Sequence, residues 1–113
     1  MRLIFKILRA AEWGQAQQSG AFAGSEHDMR DGFIHFSTAA QARETARKHF
    51  AGETDLVLAA VDADALGAAL KWEPSRGGEL FPHLYAALPL DRIVWTKPLS
   101  LGEDGAHLFP ELA

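Results

Sequence analysis

The chain has 113 residues, 48% hydrophobic and 23% charged, with 11 basic and 15 acidic side chains for a formal net charge of −4. This size and composition predict a single domain over 1–113 that buries roughly 65% of its unfolded surface, and they exclude the charge-rich signature of disorder. The acidic balance argues against a nucleic-acid groove, the absence of cysteine excludes disulfides and thiolate chemistry, and no run approaches the ~20 apolar residues of a membrane span, so a cytoplasmic protein with no nucleic-acid or membrane partner is expected.

Leu3, Ile4, Phe5, Ile7 and Leu8 surround Lys6, a pattern that predicts a central or near-central strand with one polar side chain aimed at a specific partner. The run is too short for an export-signal core. Residues 10–18 read as a short helix ended by Gly20, and 21–31, rich in Gly, Ser, Asp and His, read as a loop. A short strand is predicted over 33–36. Thr38 and Gln41 have the spacing of a capping box that opens a helix. In that helix Ala39, Ala42, Ala46 and Phe50 share a face, Glu44 and Lys48 are spaced to pair, and Gly52 closes it.

The apolar run inside 55–62 suits a buried strand. Asp62 or Asp64 then caps a helical turn through Leu70, and 71–73 is extended ahead of Pro74. A turn over 74–78, an extended piece over 83–86, a last strand over 92–97 and a loosely packed tail from Leu99 complete the chain. Strands and short helices alternate irregularly, which predicts an α+β fold over a regular parallel one.

Two segments concentrate reactive side chains. In Gly32-Phe33-Ile34-His35-Phe36-Ser37-Thr38 an imidazole lies beside a helix N-terminus, where free N–H groups and the helix dipole attract phosphate or carboxylate. Read structurally, Ser37 and Thr38 only cap the helix and His35 is a satisfied boundary residue. Over 72–85, Trp72, Glu73, Arg76, Glu79, His83 and Tyr85 crowd together. His83 and Tyr85 share a strand face, Arg76 beside two glycines suits an anion-binding turn, and Glu73 or Glu79 suits a base or a contact to a sugar hydroxyl. Its structural reading is a solvated turn followed by a Pro-flanked edge strand. His27, Asp28, His35 and His83 lack recognised ligand spacing, so no metal is expected. Nucleophile-elbow and glycine-rich phosphate loops are also absent from the sequence.

The series Glu12-Trp13, Asp31 to Thr38 with Gln41, Phe50-Ala51-Gly52 with Asp55-Leu56-Val57-Leu58, Trp72-Glu73 and Phe81-Pro82-His83-Leu84-Tyr85 resembles the bacterial and plant family called domain of unknown function 952. The resemblance covers nearly the whole chain in order. It implies a fold similar to that of the ADP-ribosyltransferase superfamily, a split β-sheet with short helices that binds NAD as cofactor in a cleft between two antiparallel halves. In that superfamily a His or Arg on the first strand and a His or aromatic residue before the following helix meet the nucleotide, and Lys6 and His35 take those places. Many family relatives carry His where this chain has Lys6, and no Gln-x-Glu or Glu-x-Glu supplies the late-strand acid.

The resemblance therefore implies a domain that binds NAD or a related nucleotide or anionic small molecule between the His35 and His83 segments. Lys6, His35, Ser37, Thr38, Trp72, Arg76, His83 and Tyr85 are the expected ligand contacts. Glu79, Glu73 and His35 are the candidate catalytic residues for ADP-ribose transfer. The alternative is a non-catalytic module that binds a small ligand or partner with the same cluster. The two readings differ in whether a glutamate reaches His35 in the folded cleft.

Overall fold

The structure, a computed structural model, describes residues 1–112, and of residue 76 the backbone alone. In chain order the elements are β1 (Leu3–Arg9), α1 (Ala10–Ser19), β2 (Ala21–Phe22), α2 (Glu26–Asp31), β3 (Ile34–His35), α3 (Ala42–His49), β4 (Leu56–Asp62), β5 (Leu70–Pro74), β6 (Leu80–Leu84), β7 (Leu88–Pro89), β8 (Ile93–Leu101) and β9 (His107–Leu108). All strand pairings are antiparallel. One sheet runs β1-β4-β8-β9, a second β3-β6-β5, and β2 pairs with β7.

The continuous apolar run makes β4 an interior strand, paired on one side with β1 and on the other with β8. Alternation along β1 and β4 sends Ile4, Leu8, Ala59 and Val61 into one core with Phe22, Ile34, Phe36 and Leu84. Phe5, Ile7, Leu58 and Ala60 enter a second core with Ala42 and Ala46 of α3. Burying each large apolar side chain contributes roughly 1.5–3 kcal/mol. The same alternation puts Lys6 on the face of Ile4 and Leu8, so the sequence must supply it with a buried partner.

Phe5 and Ser37 join the two larger sheets. Phe5 N–H donates to the Ser37 carbonyl at 2.8 Å and Ser37 N–H to the Phe5 carbonyl at 2.9 Å. Lys6, His35 and His83 thereby border one gap between the two halves; the first strand, expected to be central or near-central, is the edge of its sheet and is met there by the Ser37 bridge.

Several boundaries differ from the sequence reading. The stretch expected to be a loop contains β2 and α2. The latter has a reciprocal Ser25–Asp28 cap, and Gly32 at φ 88° in the left-handed region turns the chain into Phe33. Helix α3 begins at Ala42 with Gln41 at the cap position; the Gln41 side chain still accepts the Thr38 N–H at 3.0 Å, half of the expected box. Glu44 pairs with Arg47, whose planar fork reaches it at i,i+3, where Lys48 had been expected. Asp62, of the two candidates, caps the turn after β4 by accepting the Asp64 N–H at 3.1 Å.

Strand β6 starts at Leu80 and β8 continues to Leu101, each longer than expected. The tail is not loose: it contains β9, and Leu99 and Leu112 are buried against the second core. Among the described residues, no helix is long and apolar enough to cross a membrane.

Candidate functional site

Asp28 is the partner that Lys6 requires. The Lys6 ammonium lies 3.1 Å from Asp28 Oδ1 and 2.9 Å from Oδ2, and it donates to the His35 carbonyl at 2.9 Å. Asp28 Oδ1 also accepts the His35 N–H at 3.1 Å and faces His35 Nδ1 at 2.6 Å, while Oδ2 accepts the Ser25 N–H at 2.9 Å. Burial pushes the Asp28 carboxyl up, but the His35 hydrogen bond, the Lys6 charge and the Ser25 N–H outweigh it and hold Asp28 well below the usual carboxylate range. One buried carboxylate thus ties β1, α2 and β3 together and fixes the His35 ring.

The other ring nitrogen, His35 Nε2, lies 2.9 Å from Asp31 Oδ2, one turn after Asp28 on α2. His27 Nε2 approaches the same oxygen at 3.2 Å. His27, Asp31 and His35 each present one ligand atom, all within 4.8 Å of one another, and this is the group among the described residues that could hold a metal ion.

Strand pairing brings the second predicted segment to the same place. His83 on β6 is directly opposite His35 on β3, with ring centroids 5.5 Å apart in an edge-on arrangement. His83 Nδ1 is 2.8 Å from Glu73 Oε1 on β5, and the Tyr85 hydroxyl donates to that oxygen at 2.7 Å. Those two bonds, Tyr85 first, lower the Glu73 pKa, and the hydrogen bond to Glu73 in turn raises that of Tyr85. Phe33 stacks on His83 at 4.1 Å and also lies 4.7 Å from His35 and 5.2 Å from Tyr85.

A cavity of about 520 Å³ opens between these groups, lined by Lys6, His35, Ser37 and His83 of the predicted residues, and by Arg9, Asp31 and Lys48 among others. Ser37 Oγ and Thr45 Oγ1 share a 2.8 Å hydrogen bond on its wall. Thr38, Trp72, Glu73, Glu79 and Tyr85 are not among the lining residues. Trp72 packs against the first core with the Arg2 guanidinium 4.2 Å from its ring centre, and Glu79 is exposed ahead of β6. Tyr85 borders a smaller hollow of about 310 Å³ beyond Phe33. The Arg76 side chain, expected to meet a phosphate, lies outside the described residues.

Asp28 as organiser and Asp31 as a ring partner were not among the predicted site residues. The Ser25-x-x-Asp28 spacing followed by Gly32 was the available signal, a helix cap at each end. The local apolar pattern was too weak to support a helix between them.

The model of the family described as protein of unknown function (DUF952) matches residues 7–96, a span that begins one residue after Lys6 and contains both site histidines. The crystal structure of protein CC0527 from Caulobacter crescentus, a structural-genomics target, is similar with a TM-score of 0.91 and 51% identity over 94% of this chain and 93% of that one. A double mutant of CC0527 gives 0.91 and 50% over the same shares, and its solution NMR structure gives 0.84 and 52% over 94% and 91%. No curated protein matches the chain. Family match and structural likeness extend across both halves of the cleft, and the chain therefore belongs to the DUF952 family of proteins of unknown function.

Proposed function

We propose that the cavity binds a nucleotide or related anionic small molecule, with NAD or an ADP-ribose fragment as the model ligand. The observation that carries this is the distribution of charge. In a chain of net charge −4, the cavity lining contains Lys6, Arg9, Lys48 and four of the five histidines, against two acids, Asp28 and Asp31; Lys6 is paired with Asp28 and Arg9 with Glu53, which leaves Lys48 and the imidazoles to set the positive balance. Its volume of about 520 Å³ falls within the roughly 300–1,000 Å³ common for small-molecule sites. Two antiparallel halves with the gap between them support an ADP-ribosyltransferase-like arrangement. In this reading His35, His83 and Ser37 contact ribose or phosphate, and Lys48 supplies long-range attraction.

A second reading, transfer of ADP-ribose, rests on the 2.8 Å Glu73–His83 bond, which places a carboxylate one hydrogen bond from the imidazole that faces His35. Cleavage of the nicotinamide–ribose bond develops positive charge on the ribose, and Glu73 is the acid positioned to respond through His83. Glu79 has no such connection.

Titration of the protein with NAD, ADP-ribose and inorganic phosphate, followed through the ring signals of His35 and His83 by NMR, tests the proposal. Joint shifts of both rings at sub-millimolar ligand are expected. Ring signals that stay fixed while the protein remains folded would sink it. Release of nicotinamide by the wild type and not by Glu73→Gln separates transfer from binding.

A further inference from the structure

Proton bookkeeping at His35 leads to a site that the sequence pattern did not suggest. Its Nδ1 lies 2.6 Å from Asp28 and its Nε2 lies 2.9 Å from Asp31, so both ring nitrogens face carboxylate oxygens. A neutral imidazole carries one N–H and satisfies only one of them. With the proton on Nδ1, where the buried Asp28 needs it, the Nε2 lone pair points at Asp31, and the His27 nitrogen converges on the same oxygen at 3.2 Å. His27, Asp31 and His35 thus converge on one space, each presenting one ligand atom, all within 4.8 Å of one another.

We infer that His27, Asp31 and His35 bind a divalent transition-metal ion, Zn²⁺ or a first-row neighbour, at the mouth of the cavity. Ligand atoms that bond one tetrahedral Zn²⁺ at 2.0–2.2 Å lie about 3.3–3.5 Å apart. The two separations from Asp31 Oδ2, 2.9 and 3.2 Å, are already close to that. Two imidazoles and one carboxylate favour a borderline ion over Mg²⁺ or Ca²⁺, which prefer all-oxygen sites. Asp28 on His35 Nδ1 is the outer carboxylate that ligating histidines usually have, and Lys6 and Ser25 hold it in turn. All three ligands border the cavity, so coordination positions left open face the space where an anion would sit. The ion site stands on its own geometry and is tested with metal alone.

Tag-free protein is dialysed against micromolar Zn²⁺, and Co²⁺ is titrated with detection by visible absorption. One equivalent of metal and a tetrahedral or five-coordinate Co²⁺ band are expected. His27→Ala and Asp31→Asn, both at exposed positions, are expected to lose stoichiometric binding, whereas His107→Ala retains it. Asp28→Asn keeps the stoichiometry, changes the Co²⁺ band and weakens binding about 10–100-fold. Absence of stoichiometric binding by folded wild type overturns the inference. Undiminished binding in both His27→Ala and Asp31→Asn overturns it as well, by placing the ion elsewhere.

Discussion

Two imidazole–carboxylate pairs stand side by side on the paired strands β3 and β6, and they invert which partner is buried. At His35 the acid is inside: Asp28 is 2% exposed and the ring 26%. At His83 the ring is inside, 5% exposed, and Glu73 is 35% exposed. A buried carboxylate needs several donors to remain charged, and Asp28 has Lys6, His35 and Ser25. An accessible one needs few, and Glu73 shares one oxygen between His83 and Tyr85. The first pair is therefore committed to holding three elements together, whereas the second leaves its acid partly open to solvent.

The comparison is broken most severely at Lys6. Lys6→Met strands Asp28 in the interior and is expected to cost about 3–5 kcal/mol in urea unfolding. Adding Asp28→Asn should recover part of that loss, because a neutral amide needs no counter-charge; a double variant as unstable as the single one would show that the pair is not the source. Phe33→Ala, which removes the ring touching both histidines, should cost about 0.5–1.5 kcal/mol beyond its lost buried area and uncouple the two ring signals in NMR. If His35 and His83 still respond together, the coupling runs through the β3–β6 backbone.

The smallest effect is expected at the exposed acid. The Glu73 pKa is lowered in the fold from its ordinary 4.5, so its bonds stabilise the protein above that pH and the contribution disappears as pH falls below it. Glu73→Gln should flatten this acid limb of the stability profile and lower the neutral-pH melting temperature slightly, by the contribution that the wild type loses in acid. A large loss at neutral pH would mean that Glu73 is a structural residue like Asp28.

Much of this arrangement was legible in the residues. A lysine inside an apolar strand has to be paired, and the two histidine segments were expected to meet, as β3–β6 pairing shows. Asp28 was harder to see because its helix has only six residues, too few for an apolar period, and it depends on caps and on Lys6 instead of propensity. Trp72 misled in the opposite direction. An aromatic residue beside Glu73 suggested a stacking platform, yet strand alternation turns it into the first core while Glu73 points the other way. The longer β8 depends on pairing with β4 and β9, and the buried Leu112 on the second core, neither of which a local pattern records.

The Phe5–Ser37 bridge gives the cleft its own gauge. Its two amide hydrogens are each committed to a carbonyl of the opposite half, at 2.8 and 2.9 Å, so they exchange with deuterated water only when the halves part. Their exchange rate reads the breathing of the gap, separately from fraying at the outer strands. A molecule that spans the gap must slow both hydrogens together, whereas one that binds a single wall leaves them at their resting pace.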